Sequence, residues 1–263
     1  MRSSRLRPAA LRLRARAVRA FSARSQPVRV EKFIRLLPWY DAVPIESIAM
    51  ATIKAVLFDY GRVLSGPPDP AAREEMKQIL GVDEERFRAI YWKHRDDYDR
   101  GTLNSVAYWE QVARDLHQPL DAKKLSALVA ADNAVWTQPN QAMIDWAAAL
   151  QRAGIQTGVL SNVGDAMEAG IVARFPWLAK FNHRTFSHRL GMAKPDAAIY
   201  RHAAEGLGVA ADEILFVDDL AENIAAARAA GMNAIQYTSH EEFEAAMRAA
   251  GWGELLTPAA VTA

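Results

Sequence analysis

Four places in the chain put a chemically able side chain at the end of a short apolar run or in the turn that follows one. Asp59 closes AVLFD, Ser161 and Asn162 close TGVLSN, Lys194 sits in the turn GMAKP, and Asp218 with Asp219 closes ILFVDD. Taken alone, each reads as readily as an N-cap at a strand-to-helix junction. Taken together, on runs that pack side by side, they converge on one sheet edge and bring two carboxylate clusters, a hydroxyl and an ammonium into one small site. Such a set suits phosphoryl transfer. Asp59 and Asp219 offer hard oxygen ligands for a divalent cation, and Mg²⁺ suits a site that also takes waters and a substrate phosphate. One oxygen of Asp59 can then attack phosphorus in line to give an aspartyl-phosphate, while Ser161 donates a hydrogen bond and Lys194 places positive charge at the phosphoryl oxygens.

The elements that must hold these residues follow from periodicity. Ile53, Ala55, Val56, Leu57 and Phe58 form an apolar, β-branched run, which predicts a buried strand that delivers Asp59 at its C-terminal end. Residues 69–134 read as helix almost throughout, over 70–80, 83–98, 105–116 and 121–133, each opened by a capping residue. After Pro139 the pattern alternates: helix 140–152, strand 155–162, helix 164–173, a short strand at 185–187, helix 195–207, strand 213–219, helix 221–230 and strand 233–237. This rhythm predicts an α/β fold, a mostly parallel sheet with helices on both faces. One domain is expected from residues 50–65 and 137–263, interrupted by a helical insert over 66–136. An insert after the first strand lies above the C-terminal strand ends, where open parallel sheets bind ligands, and is placed to act as a lid.

Composition narrows the classes. The chain has 263 residues, 51% hydrophobic and 24% charged, enough for a sizeable core. It has no cysteine, which excludes disulfides, thiolate zinc sites and cysteine nucleophiles. No apolar stretch approaches the length of a membrane span, so no stable membrane insertion is expected. The net charge of +1 averages two unlike parts: residues 1–30 carry nine arginines and no acidic residue, leaving 23 Lys+Arg against 31 Asp+Glu and a net −8 for the rest. The basic segment 1–49 admits three readings: an organellar presequence, a basic arm for acidic lipid or nucleic acid, or a dispensable extension ahead of a start at Met50. The acidic body lacks a basic stripe with interleaved aromatics, so no nucleic-acid partner is expected.

The segments LFDYGRVL, VLSN, GMAKPDAAIY and ILFVDDLAENI, in that order, resemble the four motifs of the haloacid dehalogenase-like hydrolase superfamily. The likeness covers residues 54–237. The insert resembles the small helical cap of subclass I. Its YDRGTLNSVAYWEQV is similar to the cap of phosphatase-like members, among them the amino-terminal domain of soluble epoxide hydrolase. The resemblance implies a Rossmann-like core and Asp59 as nucleophile. It also implies Mg²⁺ held by Asp59, the Gly61 carbonyl and Asp219, and phosphate held by Ser161 and Lys194. Asp218 and Asn223 would organise the neighbouring hydrogen bonds, and Asn162 would contact substrate or phosphate. The expected partner is a small phosphorylated metabolite, the expected setting the cytoplasm, and the expected state a monomer or homodimer.

One position departs from the family's commonest pattern. Where its phosphatases carry a second Asp two residues after the nucleophile, this chain has Gly61, which cannot transfer a proton. Leaving oxygens that tolerate negative charge need least protonation, which favours a sugar 1-phosphate or an acyl phosphate over an ordinary alkyl ester. Some members that resemble glucose-1-phosphate phosphatases also have Gly here. A catalytically silent phosphate-binding relative and a 2-haloacid dehalogenase are the alternatives, although Gly61 and Val63 do not fit the dehalogenase pattern. Arg62 in the first loop, and Trp92, Arg95, Tyr98, Tyr108 and Trp109 in the insert, are the candidates for specificity. For the aromatic residues, plain packing is the competing reading, and for Arg62 and Arg95, exposure to solvent. His94, His183 and His188 are not expected to be catalytic.

If the basic segment is dispensable, a chain begun at Met50 folds and works like the full one. Circular dichroism and activity measured side by side check this, and loss of folding excludes it.

Overall fold

The computed structural model describes residues 52–260, so the expectations for residues 1–49 fall outside the described part. Five strands, β1 (Ala55–Phe58), β2 (Gln156–Ser161), β3 (His183–Phe186), β4 (Ile214–Asp218) and β5 (Asn233–Gln236), form one sheet in the order β3-β2-β1-β4-β5. Every pairing is parallel. The α/β expectation holds, with β1 at the centre and the chain departing first to one side and then to the other. That reversal opens a crevice at the C-terminal end of β1.

All four residues of β1 are buried, because both faces of the sheet are covered. Val56 and Phe58 face one apolar cluster, which takes Trp146 and Leu150 from α6 (Gln141–Arg152), Ile171 from α7 (Asp165–Arg174) and Phe243 from α10 (His240–Ala249). Ala55 and Leu57 face the other, with Tyr200 and Leu207 from α8 (Ala197–Leu207) and Ile224 from α9 (Ala221–Ala229). The alternation follows from the two-residue repeat of a strand. Burying Phe58, whose ring meets Trp146 and Phe181 edge-on at 5.3 and 5.9 Å, contributes about 1.5–3 kcal/mol. Gly158 in β2 is required by packing, since a Cβ there would lie 2.9 Å from Leu57 Cδ1.

Between β1 and β2 the chain forms a helical layer of α1 (Pro70–Leu80), α2 (Glu84–Lys93), α3 (Arg95–Asp99), α4 (Ser105–Asp115) and α5 (Ala122–Ala134). Asp69, Asp83, Asn104 and Asp121 cap α1, α2, α4 and α5 through their side chains. The layer has its own apolar cluster, which includes Met76, Phe87, Tyr108, Trp109 and Leu128. The two linkers to the sheet run side by side: Gly66 N–H donates to the Gln138 carbonyl at 2.6 Å and Asn140 N–H to the Leu64 carbonyl at 2.9 Å.

Two differences from the sequence reading are local. The helix expected over 83–98 breaks at His94, whose ring lies 2.7 Å from Asp115, the carboxylate that also takes Lys93 at 2.7 Å. Helix α10 was not expected, although Ser239 and Glu242 carry the spacing of a capping box and Ser239 accepts from Glu242 N–H at 3.2 Å. Among the described residues, no helix is long and apolar enough to cross a membrane.

Arg95 anchors the side of the layer that faces the sheet. Its Nε donates to Asp99 at 3.0 Å, its Nη1 donates to Tyr91 Oη at 2.6 Å and lies 3.3 Å from Asp132, and its guanidinium lies over the Tyr91 and Tyr98 rings. The competing reading for Arg95, exposure to solvent, therefore does not hold, since it is 6% exposed. Arg95→Met would leave Asp99 and Asp132 buried without their cation, and is expected to cost about 3–5 kcal/mol in urea unfolding.

Candidate active site

The strand ends and the turns that follow them carry most of the expected residues to one place. Asp59 directly follows β1, and its N–H donates to the Val217 carbonyl of β4 at 2.8 Å, so the parallel register continues and sets Asp59 beside Asp218. Ser161 ends β2 and is buried on the same edge. Lys194 comes from the turn before α8. Its Nζ lies 2.8 Å from Asp59 Oδ1 and 2.7 Å from Asp218 Oδ2, with its side chain almost fully buried. Asp59, Gly61, Arg62, Ser161, Asn162, Lys194, Asp219 and Asn223 all line one cavity of about 440 Å³.

Asp218 is held on every side. It takes the Lys194 ammonium, accepts from Leu220 N–H at 2.8 Å, and accepts from Asn223 Nδ2 at 3.0 and 3.1 Å. Asn223 and Asp218 are thus hydrogen-bonded to each other beside Lys194. Asn162 has a second partner that the sequence does not show. Its Oδ1 accepts from Lys194 N–H at 2.8 Å and its Nδ2 donates to the Lys194 carbonyl at 2.9 Å, so its side chain clasps the lysine backbone while the residue lines the cavity.

The charges do not balance. Three carboxylates lie with ligand oxygens within 4.8 Å of one another, against one ammonium and an Arg62 guanidinium 3.4 Å from Asp219. Burial pushes Asp59 up to about 7, opposed by Lys194 and reinforced by Asp218 and Asp219. Burial, with Asp218 next, also raises Asp219. Lys194 is held above the usual lysine range, because Asp218 and Asp59 outweigh the burial that opposes its charge. Surplus negative charge on convergent hard oxygens fits a divalent cation. Asp218 already spends its oxygens on protein donors, so Asp59 and Asp219 are the carboxylates available to it.

Gly61 has φ −63° and ψ 127°, which any residue adopts. A Cβ there would meet only Trp136 at 3.7 Å and Asp59 Oδ2 at 3.9 Å, ordinary contact distances. The missing acid is thus not imposed by the backbone. Arg62 next to it takes a left-handed φ of 59°, its N–H donating to Ser65 Oγ at 3.0 Å.

The specificity candidates divide. Trp92 and Arg95 line the cavity. Tyr98 and Trp109 do not; both are buried in the helical layer, where Tyr98 stacks on Tyr108 with ring centroids 4.8 Å apart. Tyr98 also packs so tightly on Gly164 that a Cβ there would fall 2.1 Å from its ring. Met76, Phe87, Tyr91 and Trp136 line the cavity and were missed by the sequence reading. Trp136 lies beyond the last helix of the layer, where no periodicity marks a buried face. His183 and His188 lie outside the cavity lining, and His188 instead pairs with Glu168.

Phosphatase MT3486 of Mycobacterium tuberculosis is 30% identical over 189 residues, covering 70% of this chain and 86% of that protein. Sesquiterpene phosphatase astK of Aspergillus oryzae is 44% identical over 48 residues, covering 18% of this chain and 24% of that protein. Among solved structures, the HAD family enzyme bt-2542 of Bacteroides thetaiotaomicron, in complex with magnesium and inorganic phosphate, shares the fold with a TM-score of 0.62. It is 22% identical and covers 74% of this chain and 100% of that one. The haloacid dehalogenase-like hydrolase family model matches residues 47–231, a span that takes in Asp59, Ser161, Lys194 and the Asp218–Asp219 pair, and the chain belongs to that family.

Proposed function

We propose that the chain is a Mg²⁺-dependent phosphoric monoester hydrolase working through an aspartyl-phosphate on Asp59. The carrying observation is the placement of Asp59 at the end of the central strand, with Lys194 Nζ 2.8 Å from one oxygen and Asp219 in the same carboxylate cluster. The relative named as a phosphatase and the fold neighbour that holds magnesium and phosphate support the reading. Residues 50–65 and 137–263 serve as the catalytic core and 66–136 as its cap.

Asp59 is the nucleophile: one carboxylate oxygen forms a bond to phosphorus as the ester P–O bond breaks. Lys194 holds charge beside that oxygen, and Ser161 donates to a phosphoryl oxygen. Asp218 and Asn223 fix Lys194, and Asn162 fixes its backbone. Asp59, Asp219 and the Gly61 carbonyl would hold Mg²⁺, which when bound supplies charge neutralisation between carboxylate and phosphate. The departing oxygen takes its proton from water, because Gly61 offers none. Water then attacks the phosphorus of the aspartyl-phosphate, releasing inorganic phosphate and restoring the Asp59 carboxylate. The expectation of a sugar 1-phosphate rests on this leaving oxygen alone.

A phosphate-release screen with Mg²⁺ over sugar phosphates, nucleotides, acyl phosphates and alkyl phosphates tests the activity. Asp59→Asn is expected to lower release by roughly 1,000-fold or more while leaving the thermal unfolding cooperative. Full activity in that variant, or halide release from 2-haloacids with no phosphate release from the panel, overturns the assignment.

Gly61→Asp is expected to fold, given the room for its Cβ, and to raise release from simple alkyl phosphates. A well-placed acid gives roughly 100- to 10,000-fold, and an increase of about tenfold already marks the missing group. Steady-state kinetics on ethyl phosphate measure it.

A further inference from the structure

Much of the cavity lining is apolar. Met76 and Phe87 from the helical layer, Tyr91 and Trp92 from the end of α2, Trp136 and Leu220 all belong to it. Trp92 and Leu220 are 56% and 48% exposed, two of the four large apolar side chains exposed among the described residues, and both belong to this one cavity. Single exposed apolar residues mean little, but two on the rim of an apolar cavity mark a surface that an apolar ligand covers.

Polar side chains on the same wall are already committed. Tyr91 Oη donates to Asp132 at 2.6 Å and accepts from Arg95. Arg95 is spent on Asp99, Tyr91 and Asp132. Tyr60 Oη donates to the Trp136 carbonyl at 2.8 Å. Arg73 pairs with Glu84 and lies 5.5 Å over the Phe87 ring, and only its Nε is buried without a partner. The donors left on the lining are few and spread out: Arg73 Nε, the indole N–H groups of Trp92 and Trp136, and the Arg62 guanidinium beside Asp219. A polyhydroxylated body placed among the apolar side chains would lose more hydrogen bonds to water than it regains, which costs affinity.

We propose that this cavity binds a phosphate monoester whose alcohol part is an apolar hydrocarbon. A cavity of about 440 Å³ has room for such a chain beside the phosphate group. The phosphate sits by Lys194 and Ser161, and the hydrocarbon runs between Phe87, Tyr91 and Trp136 toward the rim at Trp92 and Leu220. The proposal rests on the phosphoric monoester reading for the orientation of the phosphate. It departs from the sugar 1-phosphate expectation because Gly61 bears on the leaving oxygen, whereas the lining bears on the rest of the alcohol. Where the proton-donating side chain is missing, binding energy from a remote apolar group is also the part of the substrate left to carry rate.

Alkyl phosphonates, whose C–P bond cannot be hydrolysed, separate recognition from turnover. The full chain with Mg²⁺ is titrated calorimetrically with methyl-, butyl-, octyl- and decylphosphonate, and with glucose 1-phosphate on Asp59→Asn. The expected result is a Kd that falls by about fourfold per buried methylene until the wall is filled. Decylphosphonate then binds far more tightly than glucose 1-phosphate. Trp92→Ala, at an exposed position that tolerates truncation, should shrink the decyl-to-methyl ratio by about fivefold or more. A Kd independent of chain length, or tighter binding of glucose 1-phosphate, overturns the proposal. Phosphate release from the matching alkyl phosphates is measured separately. Graded binding without any release refutes the hydrolase reading and leaves the apolar recognition standing.

Discussion

The buried ammonium of Lys194 is shared between Asp59 and Asp218, and the rest of the site is arranged around keeping it there. A lysine withdrawn from water is costly unless its partners are close and fixed. Here they are fixed by the sheet itself. Phe58 pairs with Val217, so the next step along each strand sets one carboxylate beside the other, and a slip of one residue would turn both to the wrong faces. Asn162 holds the lysine from behind through its backbone, and Asn223 and the Leu220 N–H hold Asp218. Five protein groups, Asp59, Asp218, Asn162, Asn223 and the Leu220 N–H, thus orient one cation. The carboxylate left with fewest protein partners is Asp219, on the side open to the cavity.

This division of labour explains what the sequence could and could not disclose. Asp59, Ser161, Lys194 and Asp218–Asp219 are legible because each ends an apolar run or sits in a turn, and a parallel sheet must gather such ends. The alternation after Pro139 discloses a parallel sheet, but not the order β3-β2-β1-β4-β5, which depends on which strands pair in space. The place of Asn162 after Ser161 is visible in the sequence, whereas its hold on the Lys194 backbone is not, because the two lie far apart along the chain. Tyr98 and Trp109 show the opposite limit: aromatics at helical spacing look the same whether they face a neighbour or a ligand. Trp136 escapes notice because it belongs to no repeating pattern. The break at His94 depends on a tertiary contact with Asp115 that no local propensity carries.

The cavity joins two kinds of surface with different origins. Its polar end is made by strand termini, where geometry is dictated by backbone register and tolerates little change. Its apolar wall is made largely by the helical layer, whose cluster of aromatic and aliphatic side chains can exchange one hydrophobic residue for another of similar volume without disturbing the sheet. The acidic end is therefore the conservative half of the molecule and the apolar wall the adaptable half. Arg95 stands where the two meet, lining the cavity while its charge is neutralised inside the layer.

The paired linkers have a consequence for how such a chain can be assembled. Ser65 and Pro139 form an antiparallel bridge, flanked by the Gly66–Gln138 and Leu64–Asn140 hydrogen bonds. To the sheet, the whole excursion from Gly66 to Gln138 begins and ends like the two sides of a hairpin. Because closure entropy grows only with the logarithm of loop length, lengthening or exchanging what lies beyond that bridge costs the sheet about 0.6 kcal/mol per doubling. The bridge works as a standard socket: it fixes the ends, and leaves the content of the excursion free to vary while the strand register beneath it stays the same.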